Sequence, residues 1–180
     1  MHWPVQPILL LVAGPPGSGK STLAQSLARM VPWAVIDKDT IKSSLLDLNA
    51  SEDLAGIASY TLLTELARDM LRTGQSVILD APGKYESFLR RCEELAIEFG
   101  ASFRIVLCEV DRQAQQWRLL ERQPRRSQWA SIPGDTGDTS RSWREAFPDW
   151  TIVADTNAPL EQATTDVLHR LLDSILTPGE

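Results

Sequence analysis

The sequence predicts an α/β fold: a parallel sheet of five strands covered by helices on both faces, three layers in all. Three observations carry this. Five short apolar runs, at residues 8–12, 34–37, 76–80, 103–108 and 151–154, alternate with longer amphipathic segments along the chain. The first of them, Ile-Leu-Leu-Leu-Val, has no polar break, which marks a strand buried on both sides. Between that run and the next helical segment stands Gly14-Pro15-Pro16-Gly17-Ser18-Gly19-Lys20-Ser21, a glycine-rich strand-to-helix turn. Strands alternating with helices build a sheet buried between two helical layers.

The elements follow in order. Residues 21–30 are helical, with Leu23, Leu27 and Met30 on one face and Ala24 and Ala28 beside them. The strand at 34–37 ends in an acid, and 40–48 reads as a helix. A longer amphipathic helix covers 53–72, with Ser51 or Glu52 near its start and Gly74 just past its end. The third strand, 76–80, also ends in an acid, and the helix at 85–99 is stopped by Gly100. After the fourth strand, Asp111 can cap a helix that runs to about 123, where Pro124 ends it. Residues 124–138 mix Pro, Gly, Asp, Arg, Ser and Trp without periodicity, and a short helix is expected around 140–146. The fifth strand leads to a helix over 159–175 with proline in its first turn. One domain, 1–180, is expected, with a lid around 118–138, because a long irregular stretch in a compact domain is usually a functional loop.

The glycine-rich turn fits G-x-x-x-x-G-K-[ST], the phosphate-binding P-loop. Gly14, Gly17 and Gly19 let the backbone turn its N–H groups inward around phosphate oxygens, with Ser18 and Thr22 in the same turn. Lys20 can reach the β- and γ-phosphates, and the Ser21 hydroxyl can ligate Mg²⁺. The helix that follows points its positive end at the same anion. The cofactors expected are therefore ATP and Mg²⁺.

In doubly wound sheets, ligands sit at the carboxyl ends of the strands. That rule gathers the P-loop, Asp37 to Asp39, Asp80 to Lys84, Glu109 to Asp111 and Asp155 on one edge. Asp80 has the look of a second metal ligand, or of a cap for the next helix. Asp37 and Asp39 are spaced so that one can accept a proton from an incoming hydroxyl while the other lies near substrate or metal; Asp39 also fits a helix N-cap. Lys42 and Lys84 flank this edge and are candidate substrate contacts. Arg112, Arg118, Arg122, Arg125 and Arg126 fall within fifteen residues, opposed there only by Asp111 and Glu121. Arg118 and Arg122 share a helix face, and the arginine-rich stretch reads as a lid that can bring guanidinium groups over the phosphates. Arg118 is expected at the nucleotide, Arg122 at the transferring phosphoryl, and Arg125 and Arg126 toward substrate. Trp117, Trp129, Trp143 and Trp150 crowd the same half and can either stack a ligand ring or pack.

Composition limits the alternatives. The net charge of −6 disfavours broad attachment to nucleic acid or anionic membrane, leaving a short oligonucleotide as the one nucleic-acid ligand to consider. No apolar run approaches the roughly 20 residues of a membrane helix, and the first residues lack the charged start of a signal peptide. Cys92 and Cys108 form neither a metal-spaced pair nor a disulfide framework and read as packing residues. A cytoplasmic monomer or homodimer is expected.

The P-loop, the segment Ile36-Asp37-Lys38-Asp39-Thr40-Ile41-Lys42, the strand ending in Asp80 and the arginine-rich stretch together resemble the small P-loop kinases. That group includes zeta toxins, chloramphenicol phosphotransferases, gluconate kinases and polynucleotide 5′-kinases. The 36–42 segment is most similar to that of zeta toxins, and Pro32-Trp33 is similar to the antibiotic phosphotransferase. The resemblance implies a P-loop NTPase sheet in the order 2-3-1-4-5, Asp39 as general base and Arg122 as a lid arginine. It matches Lys42 to a substrate-contacting arginine, and Asp155-Thr156 with Pro159-Leu160-Glu161 to a segment near the nucleotide base. The function expected is transfer of the γ-phosphoryl of ATP to a hydroxyl of a small molecule: an antibiotic, a sugar or a nucleoside-like metabolite. A polynucleotide 5′-hydroxyl kinase and a nucleotide-binding regulator or partner-coupled NTPase are the alternatives.

Overall fold

The computed structural model describes residues 6–121, 126–127 and 143–176. The strands are β1 (Ile8–Ala13), β2 (Ala34–Asp37), β3 (Val77–Asp80), β4 (Ser102–Glu109) and β5 (Ile152–Asp155). The helices are α1 (Lys20–Met30), α2 (Lys38–Asp47), α3 (Glu52–Arg72), α4 (Glu86–Glu98), α5 (Arg112–Glu121) and α6 (Leu160–Leu176). The five strands form one parallel sheet in the order β2-β3-β1-β4-β5, as the resemblance implied.

β1 is the central strand, and each of its six residues is fully buried. Alternation sends its side chains to opposite faces. Leu9, Leu11 and Ala13 pack with Leu63 and Ala67 of α3 and Cys92 and Leu95 of α4. Ile8, Leu10 and Val12 pack with Leu23 and Leu27 of α1 and Val167 and Leu171 of α6. Both cysteines are buried and unpaired; burial pushes each thiol up to about 12, so they are packing residues as expected.

The departures from the sequence reading lie at helix ends. α2 starts at Lys38, two residues earlier than expected, because the cap is Asp37 and not Asp39. The Asp37 Oδ1 accepts the Asp39 N–H at 2.8 Å and the Thr40 N–H at 3.3 Å, while the Thr40 hydroxyl donates to Oδ2 at 2.8 Å. Ser51 caps α3 through the Leu54 N–H at 3.3 Å, and Asp111 caps α5 through the Ala114 N–H at 2.8 Å. α5 is described to Glu121; the continuation to 123 lies outside the described residues, as does most of the irregular 124–138 stretch. Of the short helix expected at 140–146, residues 143–144 are helical and pass into a turn, with the Ala146 N–H on the Trp143 carbonyl at 3.1 Å. No helix among the described residues is long and apolar enough to cross a membrane.

Candidate active site

The register of the sheet assembles the site. Val12, the last but one residue of β1, pairs with Asp80, and Asp80 pairs in turn with Asp37. The P-loop leaves the end of the central strand, so two carboxylates from neighbouring strand ends arrive beside it without any long-range adjustment. Gly14, Gly17 and Gly19 have φ of 146°, 79° and 82°. These are left-handed conformations that glycine adopts without strain. Space is as limiting as backbone. A Cβ on Gly14 would lie 2.6 Å from the Ser18 Oγ and 2.9 Å from the Cys108 carbonyl oxygen, and one on Gly17 would lie 2.9 Å from the Leu119 Cγ.

Lys20 and Ser18 are buried at the base of this loop. Asp80 is 3% exposed, and its Oδ1 has no hydrogen-bond partner among the described residues. Burial pushes its carboxyl up to about 6, against the pull of the Lys20 ammonium and of a hydrogen bond from Ser21; Asp37 and Asp39 push it further up. An orphaned carboxylate oxygen beside the Ser21 hydroxyl is a suitable donor pair for a hard divalent cation.

A cleft of about 450 Å³ opens beside the loop, walled by Gly19, Lys20, Thr22, Arg118, Thr156 and Leu160. Arg118, from α5, donates through Nη2 to the Thr156 carbonyl at 2.6 Å and through Nη1 to the Thr156 hydroxyl at 3.2 Å. Of the residues expected at the nucleotide, Gly17, Gly19, Lys20, Ser21, Thr22 and Arg118 converge on this cleft, Gly14 and Ser18 do not line it, and Thr156 joins the set.

On the other side of β1, Asp39 stands in the first turn of α2, its carboxylate held by the Lys38 ammonium at 2.7 Å. That ammonium also lies 5.7 Å from the centre of the Tyr60 ring. Tyr60 packs edge-on against Tyr85 at 5.8 Å and Phe88 at 4.9 Å. Burial raises the Tyr60 hydroxyl's pKa, with Tyr85 and Asp39 adding to the rise, so it stays protonated and can donate. Tyr60 and Gln115 were not anticipated from sequence. Tyr60 lies on the inward face of a long helix, beside buried Ser59 and one turn before buried Leu63 and Thr64, where it reads as packing; Gln115 lies one turn before Arg118 in a helix whose inward face becomes evident only once it is docked.

The remaining candidates have other attachments. Asp37 is occupied by capping α2. Lys42 pairs with Glu52 at 2.8 Å, and the Lys84 ammonium lies 5.3 Å from the centre of the Trp143 ring. Arg126 is exposed and reaches Asp47 at 3.4 Å. Trp117 and Trp150 are exposed, Trp150 with its ring edge-on to Phe103 at 6.0 Å. Arg122, Arg125 and Trp129 lie outside the described residues.

Comparison with solved structures identifies the architecture. A candidate kinase of Chloroflexus aurantiacus superposes with a TM-score of 0.71 at 22% identity, over 93% of this chain and 97% of that one. A gluconokinase of Sinorhizobium meliloti gives 0.61 at 16% identity, over 93% of both chains. The APS kinase CysC of Mycobacterium tuberculosis, in complex with AMPPNP and APS, gives 0.61 at 16%, over 93% of this chain and 97% of that one. At these identities the likeness shows the fold, a kinase-like P-loop fold. Among curated sequences, an uncharacterized protein of Mycobacterium tuberculosis is 37% identical over 84 residues, 40% of this chain and 17% of that protein. A cytidylate kinase of Pseudomonas putida is 30% identical over 148 residues, 78% of this chain and 60% of that enzyme. The chain therefore spans only part of the length of the curated relatives it matches. Residues 9–147, well over half the chain, match the AAA domain family, and the chain belongs to that family.

Proposed function

We propose that this chain is an ATP- and Mg²⁺-dependent phosphotransferase that moves the γ-phosphoryl group to a hydroxyl of a small molecule such as an antibiotic, a sugar or a nucleoside-like metabolite. The observation that carries the reading is the pairing of a P-loop cleft on one side of β1 with an aspartate, Asp39, fixed at the end of β2 on the other. A phosphate cradle alone suits any NTPase; a carboxylate held opposite it suits deprotonation of an incoming hydroxyl.

In this reading the loop backbone and Lys20 bind the triphosphate, and Arg118 holds the nucleoside end of the cleft. Ser21 and Asp80 would hold Mg²⁺. Bound there, the ion would supply positive charge that offsets the negative charge of the phosphate oxygens. Asp39 takes the acceptor's proton, and Lys38 keeps its carboxylate turned toward the site. Arg122 is proposed as a further positive group at the transferring phosphoryl, and Lys42, Lys84, Arg125 and Arg126 as acceptor contacts. A kinase-like fold shared with a gluconokinase and a nucleotide-bound APS kinase supports the donor half of the reaction.

The test is a transfer assay with labelled ATP against neutral and anionic acceptors: aminoglycosides, chloramphenicol, sugars, gluconate, nucleosides, short oligonucleotides, and CMP because a cytidylate kinase is among the relatives. Lys20→Ala is expected to abolish transfer; retained activity would remove the P-loop from catalysis. Asp39→Asn is expected to lower kcat by about 100- to 10,000-fold with ATP affinity unchanged. A collapse of ATP affinity instead would make Asp39 a binding or structural residue. Transfer to CMP alone would replace the hydroxyl acceptor by a phosphate one.

A further inference from the structure

Within the P-loop the Ser18 N–H donates to the Pro15 carbonyl at 3.2 Å, and the Gly14 N–H donates to the Pro82 carbonyl at 3.3 Å. A buried carbonyl left without a donor is costly, and two further loop carbonyls have side-chain donors within reach from outside the loop. The Gln115 side chain, 5% exposed, donates through Nε2 to the Pro16 carbonyl at 2.7 Å. The Thr156 hydroxyl, also buried, lies 2.7 Å from the Ser18 carbonyl and 2.9 Å from that of Glu109, and donates its one proton to one or the other. Arg118 ties the two supports together by bonding to both Thr156 oxygens. The loop and α5 are also in direct contact. A Cβ on Gly17 would lie 3.0 Å from the Gln115 carbonyl oxygen and 3.1 Å from its Cγ.

We propose that Gln115 is a positioning residue for phosphate binding: its amide holds the Pro16 carbonyl and thereby fixes the peptide plane that carries the Gly17 N–H, with Thr156 doing the same for the Ser18–Gly19 peptide from the β5 side. Gln115 touches no residue that walls the nucleoside end of the cleft through this bond, so its effect falls on the phosphates. The P-loop motif does not contain it; the donor comes from 99 positions later in the chain. The inference rests on the nucleotide-binding half of the proposed function and is independent of the acceptor.

The experiment measures the affinity of ADP and of adenosine for the full chain by calorimetry at about pH 8, in wild type and in the neutral variants Gln115→Met, Gln115→Asn and Gln115→His. The methionine keeps the length and removes the donor. The asparagine keeps the amide on a stem too short to reach. The neutral histidine restores an N–H donor at similar reach without adding charge beside the phosphates. ADP binding is expected to weaken about tenfold in Gln115→Met and Gln115→Asn, with adenosine within about twofold of wild type, and Gln115→His is expected to recover most of the ADP affinity. A residue that merely supports folding would weaken both ligands together and would not separate histidine from asparagine. Should Gln115→Met fail to fold, the histidine and asparagine pair decides the question. Equal ADP affinity in wild type and Gln115→Asn, or parallel losses of ADP and adenosine, overturns the role of Gln115 and leaves the nucleotide site intact. Failure of wild type to bind ADP at all overturns both.

Discussion

Asp80 shows how a single residue is tuned by where it sits. The sequence supplied only an acid at the end of an apolar strand. Burial between β1 and β2 then raises its carboxyl from 3.8 to about 6, even with Lys20 and Ser21 pulling the other way. Below pH 4 both folded and unfolded chains hold this proton. Between pH 4 and 6 the unfolded chain releases it while the folded chain keeps it, so stability falls as pH rises, by about 3 kcal/mol once the folded group has ionised. Asp80→Asn cannot ionise. In metal-free, nucleotide-free buffer its stability relative to wild type is therefore expected to rise by about 2–3 kcal/mol between pH 4 and 7, as read by urea denaturation at each pH. A difference that stays flat with pH would mean that the carboxylate is better solvated than its burial indicates. Lys38 shows what a buried charge needs: its amine faces both the Asp39 carboxylate at 2.7 Å and the Tyr60 ring at 5.7 Å.

At the scale of elements, what could be read from the chain was what depends on neighbours in sequence. The strand at 8–12 declared itself by having no polar residue, and Ser51 and Asp111 stand as caps where their positions before helical periodicity put them. Ser51 also provides a clean test, since it sits at an exposed helix start away from the cleft. Ser51→Ala is expected to cost about 1 kcal/mol of unfolding free energy with nucleotide affinity unchanged. Asp39 failed as a cap because α2 starts at Lys38, directly after β2, which puts Asp37 at the cap position; its carboxylate takes the Asp39 and Thr40 N–H groups, and the Asp39 carboxylate pairs with Lys38. Gln115 and Tyr60 were illegible for a related reason. Each becomes a site residue only through the docking of its helix: α5 onto the P-loop, α3 against Tyr85 and Phe88. The sheet order itself came from the resemblance, because alternation alone fixes the parallel sense of the strands and not their sequence across the sheet.

At the scale of the whole molecule, nucleotide binding and folding draw on the same contacts. The cleft is assembled from the loop after β1, from α5 and from the turn after β5, which meet only in the folded chain. A ligand that binds there and not to the unfolded chain stabilises by mass action. ADP at about a hundred times its dissociation constant is expected to add about 2.7 kcal/mol to the unfolding free energy, seen as a raised thermal midpoint. The shift should shrink in Lys20→Ala; a midpoint indifferent to ADP would place nucleotide binding elsewhere. The strand order has one more outcome. With β1 at the centre, the cleft draws on α5, α6 and the turn after β5, while Asp39 and Tyr60 belong to α2 and α3, and Lys84 and Tyr85 to the stretch between β3 and α4. The two sides share the central strand, its loop, α1 and Asp80 at the end of β3, which faces Lys20 and Ser21. Such a partition predicts a chain exchangeable by parts as long as that one aspartate is kept: on the proposed function, a chimaera that takes the stretch from β2 through α4 from a gluconokinase, with an aspartate retained at the end of β3, is expected to keep its nucleotide and take on a new acceptor.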